Sequence, residues 1–401
     1  MTRTILVIIL SLIVLLAPAH ATASGDIKLI KSSTDNQFPD LLTFNIRAES
    51  PAQIDRIRLR YEVDKMTYAP SFAEAWPDIQ PGKDVSASWS WDMRKGSLPP
   101  GAKITYWWVI EDTAGNSLTT PRETLSFDDN RYKWQKVGDG KISIFWYQGS
   151  RSFADELLKA SQDAAAQLGK DTGGFIDKPV SLYIYGNYQD LRGSIVAPEE
   201  WTGGVAYAGF NIISIGISPS NLDWGKKAVA HELGHLITHQ VTVSPYGATL
   251  PPWLDEGLAM HAEGEQSDSD KGALLKAIDD GRLATLQSLS SPFPADPQEA
   301  FYAYAQSQSV VEYIINVYGK DKLNHLLVLL NDGNTMDDAL LKTYGVDRNG
   351  LDEAWINFMI GQPGKKTDTG AILRKDAPSP VSMLDYVTPR VLTPQILTGA
   401  G

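Results

Sequence analysis

Between residues 26 and 128 apolar and polar positions alternate with a period of two. The segments LLTFNIRAES, DRIRLRYEV, VSASWSWDM, KITYWWVIED and RETLSF read as strands, with turn clusters between them. Alternation of this kind gives each strand one apolar face and predicts an all-β unit. From about Tyr132 the period changes. KISIFWYQG and KPVSLYIYG read as strands on either side of an amphipathic helix, SRSFADELLKASQDAAAQLGK, whose Phe153, Leu157, Leu158 and Ala165 fall near helical spacing. Gly203 to Ile217 reads as one or two strands broken at Gly209. Asp223 can then cap a helix running through His231 and His235. From about Asp268 the apolar spacing is helical nearly throughout, punctuated by Gly281, Pro292, Gly319, Gly333, Gly345 and Gly361.

Leu98 to Asn116 adds detail to the first unit. A Pro-Gly turn leads into a strand with Tyr106, and DTAGN supplies the next turn. This stretch resembles the tyrosine-corner region of immunoglobulin-like and fibronectin-like sandwiches. The expected organisation is multidomain. An all-β immunoglobulin-like sandwich over 24–128 precedes an α+β zinc-binding lobe over 129–265 and an all-helical C-terminal lobe over 266–361. The last segment, 362–401, is rich in Pro, Gly and Thr and is expected to be a flexible tail.

The 401 residues suit two or three domains, and 43% hydrophobic with 21% charged residues is ordinary for a packed globular chain. A net charge of −12 argues against nucleic acid and anionic membranes as partners. At the N-terminus Arg3 precedes the apolar run Ile5 to Ala17 and the small-x-small sites AHA and ATA. This predicts a signal peptide over 1–23 and an exported protein, secreted or periplasmic; left uncleaved, the segment would tether it to a membrane. No other run is long enough to span a bilayer. With no cysteine there are no disulfides and no lipidated-cysteine anchor, so the exported domains rest on core packing alone.

Among only six histidines, two stand one helical turn apart in HELGH, His231 to His235. Residues four apart share a helix face, about 6 Å along the axis, so both imidazoles can converge on one ion. Glu232 is rotated by about 100° and flanks the ion, placed to accept a proton from water. In AVAHELGHLITH the apolar residues Ala228, Val229, Leu233, Leu236 and Ile237 bury part of this helix, and a partly buried histidine pair needs a partner. A catalytic zinc needs a third protein ligand and an open position. Cysteine is excluded. The candidates are His239, His261 and Glu256, with Asp255 as the adjacent carboxylate. Three histidines on one straight helix cannot all reach one ion, which disfavours His239. His261 lies over a turn beyond Glu256 and reads as a surface or supporting residue.

HELGH, twenty residues, then Glu256 within WLDEGLA resembles the gluzincin zinc metallopeptidases, in particular the peptidase MA-like domains. It is distantly similar to the catalytic domains of aminopeptidase N and thermolysin type. The aminopeptidases have a spacer of eighteen residues and Asn where this chain has Asp255. The resemblance covers roughly Tyr132 to Gly361. It implies His231, His235 and Glu256 as ligands of one Zn2+ ion and Glu232 as general base. Glu263 matches an acidic residue that often follows the third ligand. YAQSQSVVEYIINVYG, from Tyr304 to Gly319, resembles a family helix opened by an oxyanion-binding tyrosine, which implies that role for Tyr304. Its Lys-Gly pair is replaced by Gln306 and Ser307. The family's Gly-x-Met-Glu-Asn strand, which holds a free N-terminus, is replaced by GGVAYAG without the glutamate.

The expected function is an exported zinc metallopeptidase, an endopeptidase acting on peptide or protein substrates, with Gly204, Val205, Ala206 and Tyr207 offering an edge strand to the substrate. Two other classes compete. One is a catalytically degenerate zinc-binding relative. The other is a surface-binding module in which Trp89, Trp91, Trp107 and Trp108 form a carbohydrate platform on the sandwich. A structural zinc is disfavoured, because three ligands leave the site open.

Overall fold

The computed structural model describes residues 26–65, 71–196, 203–242 and 250–361. The expected signal peptide at 1–23 and the tail at 362–401 lie outside the described residues.

The N-terminal unit contains β1 (Lys28–Gln37), β2 (Leu41–Val63), β3 (Ala73–Ala75), β4 (Gly82–Asp92), β5 (Ala102–Asp112), β6 (Ser117–Thr119) and β7 (Glu123–Phe127). The segments read separately at Leu41 and Asp55 are one strand of 23 residues, β2. Its first half lies between β1 and β4, and its second half pairs with β5 and, near its end, with β3. Pro51 falls where the pairing with β4 shifts register, between Glu49 and Ile54, a place where a missing backbone donor costs little. All seven strands therefore join one hydrogen-bonded network through β2, rather than the two separate sheets of the expected sandwich. The halves fold over each other, so that Phe44 of β2 meets Tyr106 of β5 edge-on at 5.0 Å. The Tyr106 hydroxyl donates to Glu123, not to a backbone carbonyl as a tyrosine corner would. β1 is mostly polar and exposed, and for that reason alternation did not reveal it.

The second unit is a five-stranded sheet in the order β11 (Gly204–Tyr207), β12 (Ile212–Gly216), β10 (Val180–Tyr185), β9 (Ile142–Trp146), β8 (Gln135–Gly138). The middle three strands are parallel and the two outer strands antiparallel to them. The break expected at Gly209 is a 3-10 turn, Ala208–Phe210, closed by Asn211 in the left-handed region at φ 55°. Helix α1 (Arg151–Thr172) starts where Ser150 accepts from the Phe153 amide. It packs with Phe153, Leu157 and Leu168 against the sheet and against α3 (Leu222–Thr242). A short α2 (Tyr188–Arg192) follows β10. The opposite face of the sheet is aromatic, with Tyr183 and Tyr185 under Trp134. The β unit docks there, and Gly101 approaches the Tyr183 hydroxyl so closely that no side chain fits between them.

The third unit comprises α4 (Pro252–Ala262), α5 (Asp268–Asp279), α6 (Pro297–Tyr313), α7 (Lys320–Asn331), α8 (Met336–Tyr344) and α9 (Arg348–Met359). Its core joins Trp253, Leu254 and Leu258 of α4 to Val310 and Val311 of α6 and Trp355 of α9. α4 buries its large side chains with the helices that follow it, while its Ala262 packs into the core of the sheet unit. Among the described residues no helix is long and apolar enough to cross a membrane.

Candidate metal centre

Helix α3 sends Val229, Leu233, Leu236 and Ile237 into the core beneath the sheet. That leaves His231 and His235 on the side facing α4, with Glu232 turned toward the edge of the sheet. Two glycines set the approach of the helices. A methyl group at Gly234, inside HELGH, would lie 2.9 Å from Ala259 Cα on α4. One at Gly257, beside Glu256, would lie 2.5 Å from the Ser307 carbonyl oxygen on α6. The same contacts that bring Glu256 to the histidines therefore bring α6, and with it Tyr304.

His231 Nε2 and His235 Nε2 stand 3.2 Å apart. Glu256 Oε2 lies 3.4 Å from the first and 3.5 Å from the second. Donor atoms around a tetrahedral ion with bonds of about 2.0–2.1 Å are spaced by about 3.3 Å. Glu256 Oε2 is buried and has no hydrogen-bond donor of its own. An orphaned carboxylate oxygen between two imidazole nitrogens at this spacing fits a divalent cation. Among the described residues these three form the one such group.

Carboxylates stand behind both rings. His231 Nδ1 is 2.9 Å from Glu263 Oε1, a hydrogen bond that fixes the ring and leaves Nε2 to face the ligand position. His235 Nδ1 is 3.2 Å from Asp255 Oδ1, an ion-pair distance without the geometry of a hydrogen bond. Without an ion, burial pulls the His231 imidazole down, but Glu256 and Glu263 outweigh it and raise it to about 9. His235 is likewise lifted well above its usual value, with Asp255 and Glu256 overcoming burial. Burial pushes Glu256 up, and the two histidines more than reverse that, holding it far below the ordinary carboxylate range. The pocket thus favours positive charge at its centre, supplied by protons or by a metal.

Glu232 follows a different rule. Burial is the largest influence on it and raises its pKa. Its carboxylate lies against the edge strand: a methyl group at Gly204 would be 2.6 Å from Glu232 Oε1. Gly204, Val205, Ala206 and Tyr207 form β11, which pairs with β12 and ends the sheet. Tyr304 is half-buried, its ring centre 6.4 Å from that of His231 and edge-on to Phe293 at 5.1 Å. It does not open its helix; α6 starts two turns earlier at Pro297, where Asp296 accepts from the amides of Gln298 and Glu299. Tyr302 is turned away and accepts from Arg282.

The other candidates separate cleanly. His239 stays outside the three-donor group, and burial lowers its pKa. His261 points to the far side of α4, with Nε2 2.8 Å from Asp171 Oδ2. Asp255 backs His235 instead of ligating. Of the four tryptophans, Trp107 and Trp108 are buried, and Trp89 and Trp91 are half-buried, each within 6.0 Å of Tyr61 or of one another. The motif did not announce the roles of Gly234 and Gly257, nor the bond from Glu263 to His231. Two acids within two turns of the third ligand were the available signal for the latter.

Among solved structures, the chain is similar to OgpA from Akkermansia muciniphila at 10% identity and a TM-score of 0.20, over 26% of this chain and 28% of that one. It thus spans under a third of the length of OgpA. It is similar to an M1 zinc metallopeptidase from Deinococcus radiodurans at 11% identity and a TM-score of 0.37, over 83% of this chain and 95% of that one. The third is Legionella pneumophila aminopeptidase A, at 11% identity and a TM-score of 0.38, over 83% of this chain and 49% of that one. No curated protein matches the chain. The family model described as the Peptidase MA superfamily matches residues 160–361, a span that takes in α3, α4 and α6, and the chain belongs to that superfamily.

Proposed function

We propose that this protein is an exported zinc metallopeptidase that cuts within polypeptide chains. The observation that carries the reading is the trio of His231 Nε2, His235 Nε2 and Glu256 Oε2, spaced at 3.2–3.5 Å around a carboxylate oxygen with no donor. A single zinc ion held by these three residues would supply Lewis acidity and bring the pKa of water toward neutrality. Glu263 orients the His231 imidazole through a hydrogen bond, and Asp255 supplies negative charge beside His235. Glu232, whose carboxylate lies buried against the edge strand beside the two histidines, takes the proton of the attacking water and delivers it to the leaving amine. Tyr304 donates a hydrogen bond to the substrate carbonyl oxygen as negative charge develops there. The backbone of β11 pairs with an extended substrate. That strand reads Gly204, Val205, Ala206, Tyr207 and carries no carboxylate to hold a free α-amine, which favours internal cleavage. Export rests on the apolar segment Ile5 to Ala17 and the small-residue sites after it.

The test is metal analysis of the purified chain together with hydrolysis of an unfolded protein and of an N-terminally blocked peptide. About one zinc per chain and cleavage of both substrates are expected. Glu232→Gln should keep the metal and slow hydrolysis by about 10²–10⁴-fold. A Glu232→Gln protein that cuts as fast as the native one would sink the mechanism.

A further inference from the structure

Trp224 is the large apolar side chain that α3 leaves in the open, 44% exposed near the N-terminal end of the helix. It lies at i relative to His231 at i+7 and His235 at i+11, so all three share one helix face. Along the axis, Trp224 and His231 are separated by about 10 Å. The indole also marks the start of the edge strand. A methyl group at Gly203 would stand 4.0 Å from both Cη2 and Cζ2 of Trp224, which is ordinary contact distance. The next residue, Gly204, lies against Glu232. Two consecutive glycines thus lead from the indole to the proton-carrying carboxylate and add no side chain of their own.

An exposed tryptophan at that place has a physical use. An extended peptide advances by about 3.3 Å per residue, and the indole and the Glu232 carboxylate lie against consecutive residues, Gly203 and Gly204, so a peptide paired with β11 passes from one to the other within one or two residues. A flat indole offers a substrate side chain a large apolar surface at little entropic cost, because it has two rotatable bonds. We infer that Trp224 is the wall of a substrate subsite that takes a large apolar side chain, one or two residues from the cleaved bond, on a peptide lying along β11. The inference rests on the metallopeptidase reading for its substrate class.

Two measurements on the full-length, zinc-loaded chain decide it. The first is equilibrium binding of nine-residue peptides to Glu232→Gln protein, with Leu, Phe or Ser scanned through each position. The second is cleavage of the same peptides by the chain with Glu232 intact. A preference for Leu and Phe over Ser of about tenfold, carried mainly by KM, is expected at one position in that window. Trp224→Ala should flatten the preference and Trp224→Phe should keep most of it. Both variants should retain about one zinc per chain, and peptides too short to reach the subsite should respond equally to all three proteins. An unchanged profile in Trp224→Ala, or no apolar preference before substitution, overturns the subsite. Peptides that bind with the expected profile but are never cut overturn the peptidase reading and leave the subsite standing.

Discussion

On one side of α4, Glu256 faces His231 and His235; on the other side, His261 faces Asp171. Both clusters are made of imidazole and buried carboxylate. Asp171, near the end of α1, is supplied with donors: Gln167 Nε2 lies 2.6 Å from Oδ2, His261 Nε2 lies 2.8 Å from the same oxygen, and Lys320 ion-pairs with Oδ1. Burial raises the Asp171 carboxyl, but Lys320, His261 and Gln167 outweigh it and leave it lowered. Neither Asp171 Oδ1 nor Glu256 Oε2 has a well-formed hydrogen bond, but Asp171 Oδ1 has an ammonium against it, whereas the two nitrogens nearest Glu256 Oε2 can present lone pairs. The difference teaches what separates a metal site from an ordinary buried ion pair. Residue types do not decide it. A carboxylate with its own ammonium is already compensated, whereas three converging acceptors are compensated only by a cation.

The comparison breaks most directly on single histidines. His235→Ala should remove the metal, the hydrolysis and the rise in melting temperature that added zinc gives the native chain. His261→Ala should keep about one zinc per chain and lose only stability, about 1–3 kcal/mol for the uncovered Asp171. Metal analysis and thermal melts with and without zinc read both. A folded His261→Ala chain without metal would show that the two clusters are not independent.

A smaller effect sharpens the account of the outer carboxylates. Glu263→Ala removes the hydrogen-bond partner of one ligand ring and Asp255→Ala the charge beside the other, without touching the three donor atoms. Each should weaken metal affinity by about 10–100-fold, measured by competition with a chelator, and the chain should still load at saturating zinc. Native affinity in Glu263→Ala would reduce its 2.9 Å bond to an ordinary surface contact.

How far the site could be read from sequence follows from the same geometry. Spacing within one helix is fixed by its pitch, so His231 and His235 on a shared face were legible, with Glu232 beside them. Glu256 needed the family resemblance, because nothing local says which later carboxylate folds back. The face of α4 on which His261 sits depends on the crossing of α4 with α3 and α6, and that depends on glycines whose job is to lack a side chain. Strand alternation was legible for β4, where every second residue from Val85 to Trp91 is buried or partly buried, and β5 was legible as a strand although Tyr106 to Ile110 are buried on both faces. It failed for β1, which packs few apolar side chains, and could not reveal that two segments around Pro51 are one strand.

Those glycines give the next test. Gly257→Ala would put a methyl group 2.5 Å from a backbone oxygen that cannot rotate away. Forcing α4 off α6 should cost about 1–3 kcal/mol and lower metal affinity, since Glu256 is the neighbouring residue. Gly272→Ala on α5 is the control: nothing lies within 4 Å of the added methyl group. It should be neutral or stabilise by up to about 1 kcal/mol, with zinc binding unchanged. Denaturant unfolding of the two variants beside the native chain separates the outcomes. Equal behaviour would remove close helix approach from the explanation of the site.

Asp352 extends the comparison to a buried carboxylate with neither metal nor ammonium. It sits on α9, and the Leu286 amide donates to it at 2.9 Å. Burial dominates, one backbone amide offsets part of it, and Glu353 adds to the rise, bringing the pKa to about 7. The unfolded value is about 3.9, so between roughly pH 4 and pH 7 the folded chain holds a proton that the unfolded chain has released. Stability from this group is therefore full below pH 4 and declines as pH rises, by up to about 1.4 kcal/mol per pH unit. Asp171 has the opposite sign: its lowered pKa gives stability that is present above the unfolded value and is lost as pH falls. Asp352→Asn can keep an acceptor for Leu286 and has no proton to release, so the unfolding free energy of the native chain should fall steadily relative to that of the variant from pH 4.5 to 6.5, and that trend should change little when zinc is withheld from both. A constant difference across that range would mean that the carboxylate is ionised in the fold like its neighbours on the surface, and that burial without a cation is not what distinguishes it from Asp171.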